Sequence, residues 1–105
     1  MKQILNLKNI PTAVFCLNDD MALGAINAVY ENGLKVPEDI SIVGFDDSVF
    51  SAYITPALTT VRRAAELMSR EGAKCLLNLI QNGSNTKNKY YIKTELVVRK
   101  SIKEI

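Results

Sequence analysis

Apolar and polar residues follow one another along this chain in blocks of different period, and the blocks define the elements. Two runs, Ala13 to Leu17 and Ile40 to Phe45, are essentially apolar and stop at polar side chains: Asn18, Asp19 and Asp20 after the first, Asp46 and Asp47 after the second. Such runs suit buried strands of a parallel sheet, which a helical crossover must join. The segment between them supplies the helix. Asp19 or Asp20 can cap it, it runs to Asn32, and Gly33 takes the left-handed position beyond its end. Ala22, Ala25, Val29 and Gly33 make a stripe of small residues suited to lying on a sheet. Leu23, Ile26 and Tyr30, with Asn27 beside them, make a second stripe rotated around the cylinder. A helix apolar on two sides in so small a chain predicts a partner.

The remaining pattern fills in the other elements. Residues 1–10 read as a helix end or linker, and Pro11 places the first strand at about Thr12. Leu34 to Asp39 is a turn, so strand, helix and strand form one right-handed βαβ unit. Gly44 allows a close approach just before the acidic pair. Ser48 to Pro56 is irregular, with room for one short helical turn, and carries Phe50, Tyr53 and Ile54 as pocket wall, interface or core. Leu58 to Val61 is a short third strand. Apolar residues at helical spacing then predict a helix over Arg62 to Asn82, ending at Gly83, and Gln81 to Lys89 is an exposed loop. Ile92, Thr94, Leu96 and Val98 alternate with Tyr91, Lys93, Glu95 and Arg99, which predicts a half-exposed strand with the first set on one face. The order of elements is that of an α/β fold.

Composition narrows the chemistry. A chain of 105 residues, 48% apolar and 23% charged, is globular and has room for one domain with one core. Its net charge of +2, from thirteen basic and eleven acidic residues, gives no electrostatic footprint for nucleic acid. Histidine is absent, which removes His-based triads and His-ligated zinc. Cys16 and Cys75 lack metal-ligand or redox spacing and read as reduced core residues, so no metal and no cofactor is expected. Neither a membrane span nor a signal peptide is evident, and a cytoplasmic location is expected.

Ligands of open α/β sheets bind beyond the carboxyl ends of the strands, where Asn18 and Asp46 stand. A carboxylate accepts hydrogen bonds and an amide both donates and accepts, which suits a polar ligand, and Asn18, Asp46 and Asp47 read equally as capping and turn residues with no ligand. Asp19 reads first as a helix cap, and Asp47 and Phe50 as either pocket or capping residues. Asp46 and Asp47 do not read as an acid and base pair, because adjacent residues of an extended chain point to opposite faces. A phosphoryl-accepting receiver domain needs an early acidic pair and a late strand-end lysine, neither of which is evident. No enzyme is expected.

Four blocks carry a resemblance to the carboxy-terminal part of the effector-binding domain of LacI/GalR-type bacterial transcriptional regulators: Ala13 to Ala25, Gly33 to Asp47, Tyr53 to Val61 and Thr94 to Arg99. The resemblance implies an incomplete parallel-sheet lobe of a periplasmic-binding-protein-like (type I) fold. Its lobe is made of 11–61 and 90–102, and helix 62–82 packs on an amino-terminal lobe that this chain lacks. It implies a repressor whose small effector, a sugar by expectation, is held between two lobes by Asn18 and Asp46. It also implies a homodimer through Leu23, Ile26, Asn27, Tyr30, Tyr53 and Ile54, and operator DNA bound only by a headpiece absent here. A fragment of a periplasmic sugar-binding protein is the alternative with the same fold.

Overall fold

The computed structural model describes residues 1–83 and 89–104. The chain divides into two compact units, Met1–Arg62 with Glu95–Ile105 and Arg63–Thr94. The larger unit contains α1 (Lys2–Leu5), β1 (Ala13–Phe15), α2 (Asp19–Glu31), β2 (Ser41–Asp46), a single 3₁₀ turn (Val49–Ala52), β3 (Thr59–Arg62) and β4 (Glu95–Val97). Its strands lie in the order β1-β2-β3-β4, the first three parallel and β4 antiparallel to β3.

Local chemistry sets both ends of α2. Asn18 is the N-cap, its Oδ1 accepting the Met21 N–H at 2.8 Å, and Asp19 and Asp20 place negative charge in the first turn. At the other end Gly33 adopts φ +74°, and the N–H groups of Gly33 and Leu34 donate to the carbonyls of Tyr30 and Val29. That paired closure is a Schellman motif, which needs the left-handed glycine.

The core sits where α2 covers the sheet. Ala22, Ala25, Ile26 and Val29 pack with Cys16, Val36, Ile40, Ile42 and Leu58. Ile26, expected on the partner-facing stripe, is only 2% exposed and belongs to this core. The reason is helical geometry: positions 22, 25, 26 and 29 follow the i, i+3, i+4, i+7 spacing of one face. Ile54, also expected at the interface, is half-buried and packs against the same core. Leu23 is half-buried, while Asn27, Tyr30 and Tyr53 are exposed.

The strands differ from expectation in two places. β1 is three residues long and lies at the sheet edge, with Phe15 58% and Leu17 75% exposed rather than buried on both faces. Phe15 meets Phe45 edge to face, with ring centroids 6.5 Å apart. β4 is shorter than the Ile92 to Val98 run and has the opposite phase, since Leu96 and Val98 are exposed while Val97 and Arg99 are half-buried. Arg99 and Ser101 are turned inward by bonds to backbone: Arg99 Nη1 to the Leu58 carbonyl at 2.7 Å, and Ser101 Oγ to that of Ile42 at 2.6 Å. Polar side chains with backbone partners outcompete the apolar alternation here.

The smaller unit carries α3 (Ala65–Asn82), closed by Gly83 at φ +68°. It starts at Ala65 rather than Arg62, because Arg62 is the last residue of β3, paired with Asp46 and Glu95. Ion pairs Glu66–Arg70 and Glu71–Lys74 lace its polar side. Its apolar side forms a hollow of about 430 Å³ with Tyr90 and Ile92, lined by Met68, Cys75, Leu76 and Leu79. Of the loop expected over Gln81 to Lys89, positions 84–88 lie outside the described residues.

Candidate functional site

Asn18 and Asp46 both stand at the carboxyl edge of the parallel strands, on different elements. Asn18 caps α2 three residues past the end of β1, and Asp46 is the last residue of β2, the strand beside β1. The chain leaves β2 in an unusual way, since Asp46 has φ +111° and Asp47 φ +54°. Positive φ is uncommon outside glycine, with Asp and Asn among the side chains that tolerate it. Two successive aspartates in this region require support from their surroundings, and two networks supply it, one partly exposed and one buried.

The first is built on Asp47. Its Oδ1 lies 2.7 Å from Arg99 Nη2 and its Oδ2 2.6 Å from Arg62 Nε, so both carboxylate oxygens are occupied by guanidinium groups. Burial pushes the Asp47 carboxyl up, but the hydrogen bonds and charges of Arg99 and Arg62 outweigh it and hold the group below the usual carboxylate range. Asp47 thus anchors the turn rather than capping a helix. Arg62 reaches Glu95 on the neighbouring strand at 3.4 Å, and the Asp47 N–H donates to Thr60 Oγ1 at 3.4 Å.

The second network is built on Asp19, which does not cap α2: Asn18 does, and Asp19 turns inward from the first turn. It is fully buried, with Oδ2 accepting the Ser48 N–H at 2.7 Å and the Ser51 hydroxyl at 2.6 Å, and Oδ1 accepting the Thr60 hydroxyl at 2.5 Å. Room for the carboxylate exists because residue 44 is glycine, where a Cβ would stand 2.3 Å from Asp19 Oδ1. Sequence reasoning missed this role, although Gly44 inside a strand signalled that something approaches closely. Phe50 is half-buried in the 3₁₀ turn, where its carbonyl accepts the Tyr53 and Ile54 N–H groups.

Other features point elsewhere. Among the described residues no group of His, Cys, Asp and Glu could hold a metal ion, and no helix is long and apolar enough to cross a membrane. A hollow of about 430 Å³ beside β1 is lined by Ile4, Val14, Phe15, Leu17 and Met21, with Lys2 at its wall. That lining lacks the converging acceptors and donors a polyhydroxyl ligand needs. Cys16, on the same wall, is a buried thiol pushed up by its burial against the opposing pull of the Met1 ammonium.

Comparison with known proteins fits this geometry. Residues 1–102 match the family model for a periplasmic binding protein-like domain. The probable HTH-type transcriptional repressor ExuR of Bacillus subtilis (strain 168) is 51% identical over 105 residues, covering 100% of this chain and 32% of that protein. The lac repressor dimer bound to operator and the anti-inducer ONPF superposes with a TM-score of 0.86 at 41% identity, covering 95% of this chain and 35% of that one. The transcriptional regulator CelR in complex with cellobiose gives a TM-score of 0.80 at 37% identity, over 86% of this chain and 28% of that one. The chain spans about a third of the length of the curated relatives it matches. On this evidence the chain belongs to the periplasmic binding protein-like domain family, in the form carried by LacI-type transcriptional regulators.

Proposed function

We propose that this chain is effector-sensing machinery of a LacI-type transcriptional repressor, and that Asn18 and Asp46 contact a small polyhydroxyl effector, a sugar, held against the carboxyl edge of the sheet. The observation that carries the reading is that both residues stand at the carboxyl edge of the parallel sheet, Asn18 at the start of α2 and Asp46 at the end of β2, with Asp46 at positive φ. Capping uses the carbonyl end of Asn18, so this residue brings its N–H₂ donors to the ligand while Asp46 brings acceptors. One donor group beside one acceptor group matches adjacent sugar hydroxyls. The cellobiose complex of a similar regulator supports the sugar class. Operator binding belongs to a separate headpiece, and a cytoplasmic location follows from that role.

The same reading includes a homodimer. Leu23, Asn27 and Tyr30 on the outer face of α2, with Tyr53 82% exposed after the 3₁₀ turn, form the surface for it, as a two-fold interface uses one patch twice. The similar lac repressor is a dimer.

Isothermal titration of the complete regulator against a panel of mono- and disaccharides tests the effector site. Asp46→Ala should weaken binding of the sugar that wild type takes by about one to two decades, the equivalent of about 1.5–3 kcal/mol for a charge-assisted hydrogen bond, and Asn18→Ala, which removes a neutral one, by up to about one decade. Unchanged affinity in both variants overturns the assignment. For the dimer, sedimentation of Leu23→Asp combined with Tyr30→Asp should give monomer, and a persisting dimer moves the interface elsewhere.

A further inference from the structure

We infer that Asp19 is a positioning residue that locks the two effector-contacting side chains to one another through the protein interior, an inference that rests on the effector reading of Asn18 and Asp46. Asp19 is joined to Asn18 by one peptide bond, so its carboxylate fixes the first turn of α2. The same carboxylate accepts the backbone N–H of Ser48 at 2.7 Å, just past the two residues of positive φ that carry Asp46 out of β2. A third bond runs to the Thr60 hydroxyl at 2.5 Å on β3, and Thr60 in turn accepts the Asp47 N–H. One buried group thus reaches α2, the exit of β2 and β3 together.

The burial gives this linkage its stiffness. Asp19 and Thr60 are both 0% exposed, so water cannot replace a lost partner at either end. The carboxylate stands close against Gly44, where a Cβ would come within 2.3 Å of Asp19 Oδ1. Asn18 lies at a helix terminus and Asp46 at the end of a strand, both places where a backbone frays more readily than inside an element. The Asp19 carboxylate removes that freedom before a ligand arrives, which is the preorganisation that a hydrogen-bonding site needs.

The test uses the isotopically labelled chain and no ligand, so its failure is distinct from failure of the effector reading, which the sugar titration decides. Asp19→Asn keeps the shape of the side chain but places an N–H₂ where an acceptor is required. In a variant with wild-type far-ultraviolet dichroism, the Ser48 amide should lose about tenfold to a hundredfold of its hydrogen-exchange protection. The three-bond HN–Hα couplings of Asp46 and Asp47 should move away from the values of a fixed positive-φ turn. Thr60→Val, which removes the hydroxyl that donates to Asp19 and accepts the Asp47 N–H, should shift Asp46 and Asp47 in the same direction, and Thr60→Ser, which keeps that hydroxyl, should leave them at the wild-type values. If Asp19→Asn does not fold, the Thr60 pair decides. Wild-type couplings in Thr60→Val, or in folded Asp19→Asn, overturn the inference.

Discussion

Arg99 Nη2 stands 2.7 Å from Asp47 Oδ1, joining positions 52 apart in the chain, and the same guanidinium donates through Nη1 to the Leu58 carbonyl at 2.7 Å. The segment after β4 is therefore tied to the exit of β2 by a planar group that satisfies a carboxylate and a backbone acceptor at once. Only arginine has the fork for it.

Arg99→Leu should remove both bonds and leave Asp47 with Arg62 alone. Hydrogen bonds to a charged group in this setting contribute about 1.5–3 kcal/mol, so the urea midpoint should fall correspondingly. Arg99→Lys should recover only part of the loss, since an ammonium cannot reproduce the fork. Arg62→Ala should cost less than Arg99→Leu, because the Arg62 side chain is 49% exposed against 17% for Arg99. Equal stability of Arg99→Leu and wild type would remove the clamp from the account of the fold.

The same clamp predicts a pH dependence with a definite sign. The Asp47 carboxyl is held below its ordinary value of 3.8 in the folded chain, so the folded state binds its proton less readily than the unfolded state. Stabilisation from this group is complete above that ordinary value and is lost as pH falls through the lower, folded value. Wild type should therefore lose stability more steeply than Asp47→Asn below about pH 4, while the two curves run parallel above about pH 5. Urea midpoints taken at intervals from pH 7 to pH 2 check this, and parallel curves across the whole range would contradict it.

Core and interface on α2 separate in a third experiment. Ile26 is fully enclosed by the core, whereas neighbouring Leu23 keeps part of its surface in water. Ile26→Ala should cost about 2–5 kcal/mol in thermal or urea unfolding, the range for a large-to-small change in a packed core. Leu23→Ala should cost clearly less when the chain is dilute. Comparable losses would mean that Leu23 also supports the core.

The reach of the sequence follows the distance over which each feature is determined. The extent of α2 and its closure at Gly33 are legible because they rest on residues within a turn of one another, whereas the cap falls on Asn18 and not on the expected Asp19 or Asp20. The two-stripe reading of its faces misplaces one position: Ile26 falls at i+4 from Ala22, on the face that the spacing of Ala22, Ala25 and Val29 turns to the sheet, and it is buried there. The exposure of β1 is not legible, since an apolar run reports what a strand can bury and not which neighbours cover it. Asp19 and Arg99 are the hardest cases. Their partners lie 29 to 41 residues away for Asp19, and 52 away for the Asp47 end of Arg99. In a one-dimensional pattern a buried acid looks the same as a cap, and an inward arginine looks like the polar side of a strand.

The crowding between Gly44 and Asp19 yields the last prediction. A Cβ at position 44 would stand 2.3 Å from Asp19 Oδ1 and 2.9 Å from Leu58 Cδ2. Leu58 is fully buried and has little space to retreat, and Asp19 is held by three hydrogen bonds. Gly44→Ala must then displace the carboxylate, at a cost of about 1–3 kcal/mol for overpacking, with weakened bonds to Ser48, Ser51 and Thr60 as part of it. Asp19→Ala should itself be destabilising, because three donors, two of them fully buried, lose their acceptor at once. In that background, however, the alanine methyl at position 44 meets the space the carboxylate has vacated, and only the Leu58 contact remains to be relieved. The double variant should therefore be about 1–2 kcal/mol more stable than the sum of the single losses predicts. A double-mutant cycle in urea reads that coupling directly. Strict additivity would show that β2 relieves the added methyl by moving its backbone, and that Gly44 is needed for some reason other than the room it leaves for Asp19.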